Sequence, residues 1–459
     1  MARLSRWLLA SLLLAAACGG DDDGGPDGDV PDDILEFLET IPGMTATEEP
    51  IDTESGYRFF RLEYEQPADH DDPDGVHFVQ RMTLLHIDRE APMVLHNSGY
   101  YAYEEPFAAE LTYLFTANQL HVEQRFFEPS RPDPADWSLL TIAQAAADHH
   151  RIVEAMAPYY GGVWLATGGS KGGMTSVYHR RFYPDDVTAT VAYVAPISHG
   201  APDDSYQPFF DTVGSADCRT ALRDYQTELL TRRDAMITRM ASFGDDNGIT
   251  FERSDGAAGA FEDSVVEFPW GFWQYAEEAD CAAIPPTSAS DGELWSFHVD
   301  LGDLEYYGDQ EIEDYEPYFY QSDAELGYPS MPTGHIDDLL ETQEVERDFL
   351  PEGVTVTYDP SAMDDIDAWV RSEGERLLFV YGGNDPWTAG AFDLGDASDS
   401  FLYVAPGLNH SAAIADLTSE DQAAALAALE RWTGVAPRSA RRARAALPPE
   451  PAPPRLHPR

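Results

Sequence analysis

The stretch "VWLATGGSKGGMTSVYHRRFYP", residues 163–184, places a serine between two pairs of glycines directly after an apolar run. The apolar residues 163–166 predict a buried strand, and residues 171–183 predict a helix. Between them, "GGSKG" matches G-x-S-x-G, the strained strand-to-helix turn that exposes a nucleophilic serine. A phosphate-binding loop is the alternative, but its lysine stands immediately before Ser or Thr, and that order is absent here. We therefore predict that Ser170 is a nucleophile.

Two later segments place polar side chains just past predicted strands. "LLFVYGGNDPW" brings Asp385 to the end of one strand, and "FLYVAPGLNH" brings His410 to the end of the next. In serine hydrolases with this turn, an acid and then a histidine follow the serine in the chain. Asp385 and His410 are therefore predicted to complete a catalytic triad with Ser170. The competing acids lie in the loop after Asp385: Asp393, Asp396 and Asp399.

The oxyanion hole of such a site is built from backbone N–H groups. The residue after the nucleophile supplies one donor, which is Lys171, and a loop after an earlier strand supplies the second. "HNSGYYAY" offers Gly99 or Tyr100 for that second donor. Lys171 is the one lysine of the chain, and we assign no catalytic role to its side chain.

The order of elements predicts an α/β fold with an insertion. The chain has 459 residues, which favours one large domain with an insertion or two domains. Strands and helices alternate up to residue 200, including a strand over 119–127 and a helix over 138–156, and alternation returns near residue 377. Residues 201–345 are richer in Tyr, Trp, Pro and helical stretches, which predicts a mostly helical cap. The core then comprises residues 35–200 and 346–434, and the basic, proline-rich residues 435–459 predict a disordered tail.

The charge of the chain is strongly negative. Its 83 acidic and 28 basic residues give a formal net charge of −55. Phosphate is repelled by such a surface, so we expect no nucleic-acid partner. Solubility, including adaptation to salt, is the favoured interpretation, and recognition of a cationic partner is the alternative.

The N-terminus predicts export. Residues 1–18 contain two arginines, an apolar stretch and then small residues ending at Cys18, which is typical of a lipoprotein signal peptide and too short for a membrane span. Residues 19–34 are rich in Gly and Asp and predict a flexible linker. We expect an exported protein, anchored to a bacterial membrane by a lipid on Cys18 or secreted. Export favours a disulfide between Cys218 and Cys281, and two separate thiols are the alternative.

Several motifs in this order resemble one family. "NQLHVEQRFFEPSRP", "GGSKGGMTSVYHRRFYPDDV", "VEFPWGFWQY", "YGGNDPW" and "PGLNH" are similar to the secreted bacterial tripeptidyl and prolyl aminopeptidases of the α/β-hydrolase type. The resemblance spans about residues 40–434. Lysosomal prolyl peptidases have a related turn around their nucleophilic serine. They are therefore the family with which this chain is most easily confused.

The resemblance implies an α/β-hydrolase core with a helical cap, and a catalytic triad on Ser170, Asp385 and His410. It further implies release of short N-terminal peptides, often at proline, and supports the bridge between the two cap cysteines. An exopeptidase captures a free ammonium group, for which buried carboxylates with aromatic walls are suited. The candidates for substrate binding, each with surface exposure or core packing as the alternative, are Glu104, Glu105, Glu277, Glu278, Glu325, Trp270, Trp273, Tyr318 and Tyr320.

Three functions therefore compete. The first is a serine aminopeptidase acting on peptides with a free N-terminus. The second is a carboxylic ester hydrolase, because triad and oxyanion hole do not choose between amide and ester. The third is an inactive surface-binding protein, against which the intact triad argues. No metal or organic cofactor is expected.

Overall fold

The computed structural model describes residues 30–51, 56–342 and 349–438, together with Pro448, Glu450 and Pro451. The predicted signal peptide, Cys18 and most of the predicted linker lie outside these residues, so the export signal and the lipid anchor remain predictions. Within the described ranges, no helix is both long and apolar enough to cross a membrane.

A sheet of nine strands forms the centre of the molecule. In chain order, the strands are β1 Met44–Glu49, β2 Arg58–Pro67, β3 His77–His86, β4 Met93–Asn97, β5 Asn118–Val122, β6 Trp164–Gly169, β7 Ala189–Tyr193, β8 Leu377–Gly382 and β9 Phe401–Ala405. Their order across the sheet is β1-β2-β3-β5-β4-β6-β7-β8-β9. The pairs β1-β2, β2-β3 and β3-β5 are antiparallel, and the five remaining pairs are parallel.

The two parts of the sheet differ in burial, as their sequences require. In β2, exposed glutamates alternate with buried residues near the end of the strand, which is typical of an antiparallel strand with one face toward water. All residues of β4 and β8 are buried, because helices cover both faces of the parallel part. A mostly parallel sheet with a sharp turn after a central strand is the core of an α/β hydrolase, so the predicted fold class is confirmed.

Eleven named α-helices accompany the sheet in the described residues. They are α1 Ile34–Leu38, α2 Glu110–Phe115, α3 Ile142–Met156, α4 Lys171–Phe182, α5 Ala216–Thr231, α6 Arg233–Asn247, α7 Gly256–Tyr275, α8 Asp291–Leu301, α9 Asp309–Gln321, α10 Ser361–Glu373 and α11 Ser419–Thr433. Helix α4 follows β6 directly and packs against α3 and the neighbouring strands. This packing holds the turn between β6 and α4 rigidly at the carboxyl edge of the sheet.

Some element bounds differ from the sequence prediction. Strands β1 and β7 were not predicted. The strand predicted over 119–127 ends at Val122, and a few residues later the charged side chain of Arg125 pairs with Asp148 on α3, off the sheet. The helix predicted from residue 138 begins at Ile142, because the hydroxyl of Thr141 accepts a hydrogen bond from the Gln144 N–H (3.2 Å) and caps it.

Helices α5 to α9 form an insertion between β7 and β8. Their apolar side chains build a cluster that continues into the core, where Trp270 packs edge-on against Trp387 with ring centroids 4.8 Å apart. Cys218 on α5 forms a disulfide with Cys281, with Cα atoms 5.4 Å apart. The insertion is thus joined to the sheet by continuous packing beside the end of β8.

A buried ion pair connects the segment after β5 with α3. Arg125 and Asp148 are fully buried, with Nε–Oδ2 and Nη2–Oδ1 distances of 2.7 Å. His70 Nε2 lies 2.7 Å from the same carboxylate. Burial by itself raises the pKa of Asp148, but the charge and hydrogen bonds of Arg125 and His70 outweigh it and hold that pKa below its usual value.

We expect Arg125→Met to lower the free energy of unfolding by about 3–5 kcal/mol, because it leaves the buried carboxylate of Asp148 without its arginine. Urea unfolding measures this loss. Since the folded-state pKa of Asp148 is lowered, the stabilisation is present above the unfolded-state pKa and is lost as pH falls through the folded-state value. The matched control is Arg223→Met, whose pair with Asp211 is exposed and contributes about 0–1 kcal/mol. Equal losses in the two variants would contradict the argument.

Candidate active site

Ser170 lies in the turn between β6 and α4. Its φ of 53° and ψ of −126° are a strained conformation for a residue with a side chain. The turn is held by the Ser170 N–H, which donates to the Tyr193 carbonyl (2.9 Å), and by the Ser170 carbonyl, which accepts from the Met174 N–H (3.0 Å). The serine therefore projects from the carboxyl edge of the sheet, as the G-x-S-x-G pattern predicts.

Close backbone approach explains the glycines of this turn. A Cβ on Gly168 would lie 2.4 Å from the carbonyl carbon of Gly172, and a Cβ on Gly172 would lie 2.2 Å from the Asn97 carbonyl oxygen. Real Cβ atoms do not approach backbone so closely. The strained serine is therefore possible because β4, β6 and α4 pack with almost no space between their backbones.

The structure brings Asp385 and His410 together. The carboxylate Oδ2 of Asp385 lies 2.7 Å from Nδ1 of His410, and both side chains are buried. Asp385 Oδ1 accepts a hydrogen bond from the Trp387 N–H (3.1 Å). Because β8 and β9 are parallel neighbours, residues just past their carboxyl ends meet at one edge of the sheet.

The competing acids lie elsewhere. Asp393 pairs with Arg371 at 3.0 Å. Asp399 accepts a hydrogen bond from the Trp432 indole N–H (2.6 Å), and Asp396 is exposed. Asp385 is thus the acid of this group that contacts His410.

The Ser170 hydroxyl lies near the Tyr100 phenol, and it lowers the pKa of that phenol against the larger effect of burial. Tyr100 is buried, and its burial raises the pKa of the phenol well above its usual value, so the phenol stays protonated. His410 Nε2 has no hydrogen-bond partner among the described residues. His410 Nε2 is therefore available to accept a proton from the serine hydroxyl. No local pattern in the sequence indicates the phenol beside Ser170.

Of the predicted oxyanion donors, Lys171 and Gly99 are compatible with the structure and Tyr100 is not. Lys171 is the first residue of α4, where the helix dipole favours negative charge. Gly99 packs so closely that a Cβ would lie 2.5 Å from Gly172 N. The backbone N–H of Tyr100 already donates to the Ser98 hydroxyl (2.9 Å), so the prediction of this N–H as a donor is wrong.

The Lys171 side chain is buried behind the turn. Its Nζ donates to the Gly99 carbonyl (2.7 Å) and lies 5.4 Å from the Tyr100 ring centroid. Burial lowers the pKa of Lys171 to about 7, opposed in part by the charge of Glu325. Burial likewise raises the pKa of Glu325 to about 7, although Glu325 accepts a hydrogen bond from the Ile142 N–H (2.7 Å). Glu325, predicted to bind a substrate amine, instead interacts with the lysine of the turn.

Four other predicted carboxylates, Glu104, Glu105, Glu277 and Glu278, are exposed and do not form a buried amine site. Glu104 pairs with Arg61 and lies 2.6 Å from Arg81. Glu105 and Glu277 are exposed, and the Glu277 N–H begins a short helix by donating to Asp280. These predictions are wrong because solvent and surface arginines already satisfy the charges. Glu278 accepts a hydrogen bond from the Ser215 N–H (2.8 Å).

The predicted aromatic residues pack in buried clusters. The Tyr318 ring meets that of Tyr100 edge-on with centroids 6.0 Å apart, and both rings belong to one buried cluster. Trp273 is 1% exposed and packs against Gly214 and Phe272 inside the cap. Trp270 is likewise core, and Tyr320 packs against Trp137. Packing, the alternative considered for these residues, therefore holds for all four, and Tyr318 also contacts Tyr100.

A cavity of about 460 Å³ lies beside His410. Its lining includes two carboxylates, Glu110 and Glu450. Glu110 accepts hydrogen bonds from the Tyr193 hydroxyl (2.8 Å) and the Ile414 N–H (3.0 Å), and burial raises its pKa against these bonds. Sequence reasoning did not select Glu110, which is one of 83 acidic residues. Among the described residues, no group of three or more His, Cys, Asp or Glu side chains is arranged to hold a metal ion.

Comparison with known proteins adds four findings. The family model of PS-10 peptidase S37 matches residues 29–453. The chain is 44% identical over 420 residues to the prolyl tri/tetrapeptidyl aminopeptidase of Streptomyces mobaraensis, covering 90% of this chain and 87% of that protein. Acetyl xylan esterase 1 from Thermoanaerobacterium sp. matches with 13% identity and a TM-score of 0.36, over 86% of this chain and 90% of that one. A serine hydrolase involved in carbazole degradation matches with 13% identity and a TM-score of 0.32, over 84% and 100%.

Proposed function

Because this chain belongs to the PS-10 peptidase S37 family and is a serine peptidase of the aminopeptidase type, we propose that it removes tri- or tetrapeptides from free N-termini at proline. The peptide length and the preference for proline come from the name of the 44% identical relative. The observation that supports the mechanism is the buried Asp385–His410 pair, 2.7 Å apart, beside the strained Ser170 turn.

In the proposed acylation, the Ser170 hydroxyl attacks the scissile carbonyl. His410 Nε2 takes the serine proton and gives it to the departing amine, so a Ser–acyl ester forms as the C–N bond breaks. Asp385 holds the proton on Nδ1 and stabilises the imidazolium. A water molecule, activated by His410, then hydrolyses the ester and releases the N-terminal peptide.

Charge on the carbonyl oxygen is stabilised by groups already in place. The Lys171 N–H at the start of α4 is the proposed first donor. The Tyr100 phenol lies near Ser170, and its raised pKa keeps its proton available for the oxyanion. The Gly99 N–H remains the predicted backbone donor from the other loop. The buried Lys171 side chain supports this arrangement by fixing the Gly99 carbonyl at 2.7 Å.

The first test compares peptides with free and acetylated N-termini, each ending in Pro-, Ala- or Phe-nitroanilide. We expect hydrolysis of the free tripeptidyl-Pro substrate and a loss of at least about 100-fold on acetylation, because a charged group that binds a buried partner contributes about 1.5–3 kcal/mol or more. Initial rates of nitroaniline release measure this. Equal rates for both forms would rule out an aminopeptidase, and hydrolysis of short acyl esters alone would identify an esterase.

A further inference from the structure

The end of the chain reaches the cavity beside His410. The Pro448 carbonyl accepts hydrogen bonds from the Ala108 N–H and the Tyr113 hydroxyl, both at 3.0 Å. Glu450 and Pro451 then form part of the cavity lining together with His410. Within the predicted disordered tail, these residues therefore make specific contacts with the wall of the active site.

Two buried histidines face this segment, and their hydrogen bonds fix where their protons lie. The Tyr103 N–H donates to His121 Nε2 (3.0 Å), so His121 carries its proton on Nδ1. Burial lowers the pKa of His121 well below its usual value, which keeps it neutral. His121 Nδ1 lies 2.8 Å from His96 Nδ1. Because His121 donates in this contact, His96 accepts on Nδ1 and carries its own proton on Nε2.

The Nε2–H of His96 therefore points into the cavity as a donor. The His96 side chain is 2% exposed, and Oε1 of Glu450 lies 3.0 Å from Nε2. Apart from this carboxylate, Nε2 has no partner among the described residues. An unpaired buried donor is costly, so this position favours an acceptor, and a charged acceptor gives the stronger bond.

Aromatic rings surround the donor and fit an apolar peptide. The Tyr103 ring stacks on His121 with centroids 5.6 Å apart, and the Phe107 ring meets His96 edge-on at 5.4 Å. Such walls accommodate proline rings on either side of an acidic residue. The sequence of the tail here is Pro-Pro-Glu-Pro over residues 448–451.

We propose that His96 and His121 form a subsite for the carboxylate of an acidic residue in a bound peptide, and that Glu450 occupies it in the resting chain. The proposal rests on the proposed peptidase function only in that the cavity is shared with His410. A peptide with glutamate in the matching position displaces the tail, and a peptide without one competes with it poorly.

Binding to the full chain tests this without reference to turnover. The variant Glu450→Ala empties the subsite, and the probe is acetyl-Pro-Pro-Glu-Pro-amide, with glutamine in place of glutamate as its matched partner. By calorimetry, the Glu450→Ala chain is expected to bind the glutamate peptide about 10-fold more tightly than the glutamine peptide, as for a hydrogen bond to a charged group. It is also expected to bind the glutamate peptide about 10-fold more tightly than the wild type does, since its subsite is empty.

Further variants assign the effect to the histidines. In the Glu450→Ala background, His96→Phe retains the aromatic shape without the donor and is expected to abolish the preference for glutamate. His121→Gln removes the Nδ1 donor that fixes the position of the His96 proton, and it is expected to weaken the preference for glutamate. The matched control Glu105→Ala, which replaces an exposed glutamate, should bind the glutamate peptide as the wild type does.

Two results would overturn the proposal. One is equal binding of the glutamate and glutamine peptides to the Glu450→Ala chain, and the other is equal binding of the glutamate peptide to that variant and to the wild type. Failure of peptide hydrolysis would instead bear on the proposed function alone.

Discussion

Ser170→Ala is expected to lower kcat by about 10⁶-fold, with KM little changed, because it removes the atom that forms the acyl ester. The residual rate reflects the oxyanion donors and substrate binding, which the substitution leaves in place. Hydrolysis of a free tripeptidyl-Pro-nitroanilide measures the loss. Since alanine is smaller than serine and the turn strain lies in the backbone, the variant should unfold at the same urea concentration as the wild type.

A matched serine shows whether the effect is specific. Ser242 is exposed on α6 and donates to the Thr238 carbonyl (2.9 Å), so Ser242→Ala should retain full activity. A fluorophosphonate probe should label the wild type and Ser242→Ala but not Ser170→Ala. Activity or labelling that survives in Ser170→Ala would move the nucleophile elsewhere and leave the turn without a catalytic role.

Asp385→Asn is expected to lower kcat by about 10⁴-fold. The carboxylate accepts from His410 Nδ1 at 2.7 Å and thereby leaves Nε2 free to take a proton. An asparagine amide in its place donates to Nδ1, which moves the imidazole proton to Nε2 and blocks proton transfer from Ser170. The same nitroanilide assay, with rates followed against pH, measures the change.

Asp393→Asn provides the matched control for this prediction. Asp393 lies on the loop after Asp385 and pairs with Arg371 at 3.0 Å, with 60% of its side chain exposed. Its substitution should change kcat by less than about 2-fold, as for an exposed ion pair. Similar losses in both variants would mean that charge in this region, and not the tautomer of His410, determines the rate.

The catalytic geometry was predictable because it depends on local order. The glycines around Ser170 specify one turn, and residues past parallel neighbouring strands must meet at one edge, which brings Asp385 to His410. Burial of a carboxylate depends instead on distant partners. Glu104 pairs with arginines of β2 and β3, and no local pattern in the sequence indicates either of these contacts or the burial of Glu110.

Strand prediction failed where the apolar residues of the sequence show no distinctive periodic pattern. Strand β1, "MTATEE", is an edge strand with no fully buried residue, so it has little apolar pattern. Strand β7, "ATVAY", is five residues long and follows a polar loop. The predicted strand over 119–127 contained enough apolar residues to extend through Phe126, but the buried charge of Arg125 requires Asp148 as its partner and takes the chain away from the sheet.

The burial of the single lysine has a consequence for chemical labelling. Lys171 is 3% exposed, and its Nζ is held on the Gly99 carbonyl at 2.7 Å. Acylating reagents that attack lysine amines therefore find no exposed target of this type on the folded protein. Because Lys171 follows the nucleophile directly, its acylation requires the turn itself to open. Modification of this one amine thus reports loss of the active conformation in the native sequence, with no introduced probe.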